Sequence, residues 1–151
     1  MIQRLVLIEL RKNTSASSTI AQIAALLRTD GTVVNTAGNT VLFSDKITLP
    51  GKYYIVVKHR NSLPIMSATA IDLSPIPALY DFTTSNAKSF GNNMVAVSGG
   101  QYGMLEGDFN QDGIINMVDF NLYNSDLTVG AFNDYMATDM NFDLIVDLDD
   151  Y

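Results

Sequence analysis

From Gln101 to Tyr151 the chain carries eleven Asp and Glu residues and no Lys or Arg. A compact segment of that charge repels itself. One solution is a solvated acidic tail, but such tails lack apolar residues, and this one holds Ile114, Ile115, Leu122, Tyr123, Ile145 and Val146. The other solution is a folded segment that collapses around cations, and the spacing of its acids favours it. Residues 1–100 are the opposite case, with nine Lys and Arg against five Asp and Glu, a net of +4 in a chain whose total is −7. The charge therefore divides the chain into a module over 1–100 and an acidic module over 101–151, with Ser98–Gly100 expected as the joint.

Within the acidic module a pattern repeats at an offset of 31 residues. The first copy runs from Asp108 to Asp119. A twelve-residue calcium loop needs side-chain oxygens at positions 1, 3 and 5, glycine at 6 for a sharp turn, a carbonyl at 7, a ligand at 9 and a carboxylate at 12. Asp108, Asn110 and Asp112 fill 1, 3 and 5; Gly113, the Ile114 carbonyl, Asn116 and Asp119 fill 6, 7, 9 and 12. An all-oxygen set of this kind suits a hard cation that takes six to eight ligands. In the second copy Asp139, Asn141, Asp143, Ile145, Asp147 and Asp150 fill 1, 3, 5, 7, 9 and 12.

Position 6 of the second copy is Leu144, where a left-handed backbone costs on the order of 1–2 kcal/mol. Two calcium sites are expected, the second weaker. The β-branched residues at position 8, Ile115 and Val146, are expected to join the loops by a short β contact. Between the loops, Val118–Leu127 is predicted as a helix with Val118 and Leu122 on its packed face. Gly130–Thr138 is predicted as a second short helix supplying Phe132, Tyr135 and Met136 to the core.

The first hundred residues are predicted to be β-rich. Arg4–Leu10 is a short apolar run with β-branched members, and Tyr53–Lys58 (YYIVVK) is the clearest strand. The alanines of Ile20–Arg28 suit a helix, but Asp30-Gly31 is a hairpin turn signal that favours a strand there and a second one over Thr32–Val34. Val41–Phe43 and Ser67–Leu73 are further candidates, and Asp81–Thr84 and Met94–Val97 are candidate edge strands. Short strands closely spaced by turn residues predict an antiparallel β-sandwich.

Several chemistries lack their residues. There is no cysteine, hence no disulfide and no thiolate site. His59 is the sole histidine, so a histidine-based zinc site or catalytic triad has no partners. Gly99-Gly100 has no following Lys to make a phosphate loop. The basic excess of the first module is small and scattered, which argues against nucleic acid. No apolar run is long enough to span a membrane, and Arg4 interrupts the N-terminal run that a signal peptide would need. The carboxylates are absorbed by the loop spacing, so no catalytic residues and no enzymatic activity are expected.

The segment Gly107–Tyr123 (GDFNQDGIINMVDFNLY), with Asp at position 12 and an aromatic directly after it, resembles a dockerin repeat, and the resemblance extends to Tyr151. It implies a small, paired, EF-hand-like calcium module of helices and loops that docks onto a cohesin-like domain and tethers an extracellular bacterial protein. Dockerins usually read their partner through positions 10 and 11 with small hydroxylated residues; here those are Met117-Val118 and Leu148-Asp149. The stretches Leu7–Arg11, Leu26–Gly31, Tyr53–Asn61, Met66–Thr69 and Tyr80–Thr83 resemble a β-module that precedes such ends in secreted proteins of Bacteroidetes-type bacteria.

The expected function is non-catalytic attachment or anchoring at the cell surface or outside the cell. The partner would be a cohesin-like domain, the parent chain or an identical subunit. The alternative is a subunit of a calcium-stabilised filament or surface layer, in which the apolar N-terminal strand completes a neighbour's sheet. A cytosolic calcium sensor is a third class, disfavoured by the glycine-less second loop and the β-rich module.

Overall fold

The computed structural model describes residues 4–43, 51–73, 79–132 and 136–150. Two compact units emerge: Met1–His59 with Pro64–Met104, and Arg60–Leu63 with Leu105–Tyr151.

The strands of the first unit are β1 (Arg4–Arg11), β2 (Thr19–Leu27), β3 (Val33–Val34), β4 (Lys52–His59), β5 (Ser62–Met66, whose first two residues belong to the second unit), β6 (Ile71–Asp72), β7 (Val95–Val97) and β8 (Gln101–Gly103). Six of them form one sheet in the order β3-β2-β1-β4-β5, with β6 on β4; β7 and β8 form a separate two-stranded ribbon. The described residues are thus mainly antiparallel β with one α-helix. β1 is central, pairing Leu7 with Ala24 of β2 on one side and with Lys58 of β4 on the other.

Alternation along β1 sorts its side chains. Val6 and Ile8 join Ala25, Val57, Ile65 and Met94 in the main core, and Leu10 packs with Ala21 and Tyr53 in a smaller one. The opposite face of the strand carries Glu9, which is buried. Its Oε2 accepts from Arg11 Nε at 3.1 Å and Nη2 at 2.6 Å, and its Oε1 accepts from Gln22 Nε2 at 2.8 Å and pairs with Lys58 Nζ at 2.7 Å. Burial pushes this carboxyl up, but the donors from Lys58, Arg11 and Gln22 outweigh it and hold it below the ordinary value.

The Asp30-Gly31 turn forms as its residues dictate. Asp30 Oδ1 accepts from Thr32 N at 2.9 Å, Arg28 N donates to Thr32 O, and β2 pairs with β3 through Leu27 and Val33. The Ser67–Leu73 run is broken rather than continuous. Ser67 N donates to Ile55 O, and its hydroxyl takes the Ile55 N–H at 3.1 Å, so a side chain stands in for the ladder before β6 resumes at Ile71.

Three further expectations differ. Val41–Phe43 forms no strand, although Val41 and Phe43 pack on the core. Asp81–Thr84 is a turn, because Asp81 Oδ1 takes both the backbone N–H and the hydroxyl of Thr83. Ser98–Gly100 is the turn joining β7 to β8, and the units change over at Met104 and Leu105.

The second unit has one α-helix among its described residues, α1 (Met117–Val129), and a single 3-10 turn at Leu148–Asp150. Its core is Phe109, Tyr123 and Val146, with Leu127, Met136 and Met140 packed against it. The tip of the β4–β5 hairpin, Arg60–Leu63, belongs to this unit. Leu63 N donates to Leu105 O at 2.8 Å and Gly107 N to Asn61 O at 2.7 Å. The buried helix positions are Asp119 and Tyr123; Val118 and Leu122, expected on the packed face, are exposed. The aromatic and the capping carboxylate, rather than the aliphatics, decide which side faces inward.

No second helix forms over the described part of 130–138. Gly130 adopts φ 61°, and its N–H and that of Ala131 close on carbonyls of the last turn of α1. The chain then leaves extended, so that Phe132 bridges Ile145 and is 66% exposed instead of buried. Tyr135 lies outside the described residues. Among the described residues no helix is long and apolar enough to cross a membrane.

Candidate metal centres

The two acidic loops fold by the same local rules. In each, the short side chains at positions 1, 3 and 5 curl back onto amides of their own loop. Asp108 Oδ2 accepts from Gly113 N at 3.1 Å, and Asp139 Oδ2 from Leu144 N at 3.2 Å. Asn110 Oδ1 accepts from Asp112 N, and Asn141 Oδ1 from Asp143 N. Asp112 Oδ1 accepts from Ile114 N, and Asp143 Oδ1 from Ile145 N, both at 2.9 Å. The backbone turns left-handed at positions 4 and 6 of both loops: Gln111 at φ 60° and Gly113 at 86°, Phe142 at 68° and Leu144 at 71°.

Position 12 closes each loop onto its own start. Asp119 Oδ1 accepts from Phe109 N at 2.9 Å and Asn110 N at 3.2 Å, and its Oδ2 from Asn116 N at 2.9 Å. Asp150 repeats this with Met140 N at 2.8 Å, Asn141 N at 3.1 Å and Asp147 N at 3.0 Å. Asp119 has a second duty. With Asn116, whose Oδ1 accepts from Val118 N at 2.7 Å, it forms the capping box that starts α1. Burial pushes Asp119 up, yet the amides of Asn116, Asn110 and Phe109 outweigh it and hold it below the ordinary carboxylate value.

Asp108 differs from its counterpart. It is fully buried, and its Oδ1 has no hydrogen-bond partner among the described residues, whereas Asp139 Oδ1 accepts from Phe142 N at 2.7 Å. Burial pushes the Asp108 carboxyl up, and the neighbouring Asp119 and Asp112 carboxylates push it further. A buried carboxylate oxygen facing like charge is costly unless a cation answers it.

The loops share one core rather than a strand pair. Phe109 and Met140, both at position 2, meet Val146 and Tyr123 there. Among the described residues no bridge joins Ile115 to Val146; Val146 N donates to Ala131 O at 3.0 Å. The left-handed cap at Gly130 delivers Ala131 and Phe132 alongside the second loop, which occupies the edge that Ile115 was expected to fill.

Among the described residues no three acidic or histidine side chains gather closely enough to hold a metal as they stand. The amides of Asn110 and Asn141 donate to Asp112 Oδ2 at 2.9 Å and Asp143 Oδ2 at 3.2 Å, which ties up oxygens the ligand pattern assigns to a cation. The donor set nonetheless fits calcium. In the first loop, each carboxylate at positions 1 and 5 has one oxygen anchored by a loop amide and a second that no backbone amide takes.

No protein-family model, curated protein or solved structure matches this chain. The two loops themselves therefore carry the functional reading.

Sequence reasoning missed Arg60. Its guanidinium donates to the carbonyls of Met136 and Asp139, the latter at 2.8 Å, and lies 4.4 Å from the centre of the Phe142 ring. His59, buried at the end of β4, precedes it. The only signal in the sequence was the absence of any basic residue within 105–151, which left the acidic unit to find a cation elsewhere.

Proposed function

We propose that the second unit is a dockerin-like calcium module and that the protein is a non-catalytic extracellular attachment protein, its β-rich unit a sandwich-like carrier. The observation that carries this is the correspondence of the two loops, which share their left-handed positions and their amide contacts at positions 1, 3, 5 and 12 apart from the one that Phe142 gives Asp139. It is joined by the buried Oδ1 of Asp108, which has no hydrogen-bond partner among the described residues.

Calcium supplies the positive charge that lets the carboxylates of each loop approach one another. Asp108, Asn110, Asp112, Asn116, Asp119 and the Ile114 carbonyl would hold one ion. Asp139, Asn141, Asp143, Asp147, Asp150 and the Ile145 carbonyl would hold the other. The chain's own residues do the rest. Backbone amides of the loops fix one oxygen of Asp108, of Asp112 and of Asp143, and Asp119 links the first loop to α1. The second site is the weaker, because Leu144 is held left-handed and Asp139 spends both oxygens on amides.

The partner is a protein: a cohesin-like domain, the parent chain or an identical subunit, with neither nucleic acid nor membrane span involved. Apolar side chains exposed on the loops and α1, among them Ile114, Met117 and Leu148, support a protein-facing surface. The alternative, a strand-exchanged filament, would require β1 to leave the centre of its sheet, where it pairs with β2 and β4.

Calcium titration of the chain by calorimetry, with mass followed by light scattering, tests the proposal. Two binding events on a monomer are expected. Polymer growth on binding would favour the filament, and no binding would end the calcium proposal. Asp112→Ala is expected to abolish the tighter event and leave the weaker one.

A further inference from the structure

The only basic residue within the acidic unit is Arg60, contributed by the β4–β5 hairpin tip. It meets both loops at the same place. Position 4 of the first loop, Gln111, donates through its side-chain amide to the Arg60 carbonyl at 3.1 Å. Position 4 of the second loop, Phe142, lies under the Arg60 guanidinium at 4.4 Å. The guanidinium also takes two carbonyls of the segment entering that loop, those of Met136 and Asp139, and Asp139 is its first ligand position. A planar fork with several donors can bind two carbonyls while stacking on a ring, which an ammonium cannot.

We infer that Arg60 is a positioning residue for the second calcium loop: it fixes the backbone at position 1 and the left-handed Phe142 at position 4 before the ion arrives. This rests on the calcium proposal above. Two effects of the side chain oppose each other. Its charge repels an incoming cation, and its hydrogen bonds and ring contact hold the loop in the bound shape. Each loop hydrogen bond that the ion would otherwise have to organise is already made, and the repulsion acts partly through solvent, so positioning wins. Gln111 of the first loop binds the backbone carbonyl of Arg60, which survives substitution of the side chain, so the effect is specific to the second loop.

The test is calcium calorimetry on the full chain carrying Asp112→Ala, where the remaining event belongs to the second loop. Added Arg60→Ala is expected to weaken that event by about tenfold, the scale of a lost charge-assisted hydrogen bond. Arg60→Lys is expected to fall between, since an ammonium can donate to one carbonyl but cannot take both while stacking on the ring. Phe142→Leu, which keeps both carbonyl contacts, is expected to weaken binding less than Arg60→Ala. In a chain carrying Asp143→Ala, where only the first loop binds, Arg60→Ala should leave affinity unchanged, which also shows that the unit still folds. If Arg60→Ala tightens the second loop, or Arg60→Lys equals the original residue, the side chain acts as a charge and the inference is overturned. Should Arg60→Ala unfold the unit, Phe142→Leu decides: unchanged second-loop affinity would overturn the inference. A chain with Arg60 intact that binds no calcium would instead refute the calcium proposal.

Discussion

Gly113 and Leu144 stand at the same point of two loops with nearly the same backbone, φ 86° and 71°. Glycine reaches that conformation freely and leucine does not. A Cβ built at Gly113 meets no atom within 4 Å, so substitution there probes the backbone alone. Gly113→Ala is expected to destabilise the second unit by roughly 1–2 kcal/mol and to weaken the first site, read by thermal melting and calorimetry. Asp108→Asn should have opposite signs in two conditions. Without calcium it removes a buried charge pressed by Asp119 and Asp112, so the melting temperature should rise. With calcium it removes a ligand charge, so the calcium-dependent gain should shrink. A gain of equal size in both chains would show that Asp108 meets no cation. The left-handed turn at Leu144 was legible in the sequence, because position 6 demands it whatever residue is there. Arg60 was not legible, because its partners Asp139 and Phe142 are remote in the chain and nothing local to Arg60 points to them.

At the scale of elements, the long strands and α1 follow their sequences closely, and the failures come from single side chains that capture backbone groups. Asp81 binds Thr83 and makes a turn of a predicted strand; Ser67 replaces a ladder partner and splits another. Gly130 ends α1 so firmly that Phe132 leaves as an extended residue rather than starting a helix. The amphipathic face of α1 was misjudged because Asp119 and Tyr123, one polar and one aromatic, are the residues it buries.

The sheet has its own test in Glu9. Its folded value lies below the usual one, so the stability its network contributes is complete above the unfolded carboxyl value of 4.5 and is lost as pH falls through the lower folded value. Glu9→Gln leaves Arg11 and Lys58 without their counter-charge and is expected to cost about 3 kcal/mol near neutrality, the loss seen when one partner of a buried pair is removed. The gap in stability between the original chain and the variant should narrow steadily as the solution is acidified through that folded value. A constant gap would mean that the carboxylate charge contributes nothing.

At the scale of the molecule, the distribution of charge along the sequence divides the chain once, and the cores divide it again: Val6, Ile8 and Val57 in one unit, Phe109, Tyr123 and Val146 in the other. An ion bound only by the folded second unit stabilises that unit by mass action. Calorimetric melting is therefore expected to resolve two transitions, of which calcium raises one and leaves the other in place. A single transition that moves as a whole would show that the units unfold as one.

The chain passes between the units three times, after His59, after Leu63 and after Met104. Modules that are shuffled between genes usually enter and leave by one or two seams, and a cut at Met104 resembles such a seam. Here it would separate Leu105 from Leu63 and Gly107 from Asn61, and would leave Arg60 with the donor. A fusion that transplants residues 105–151 as a tag inherits the acidic loops without their brace, whereas one that begins at β4 carries the hairpin with it. The inheritable unit that carries the two acidic loops is longer than their repeat, and reaches back into the strand that builds the sheet.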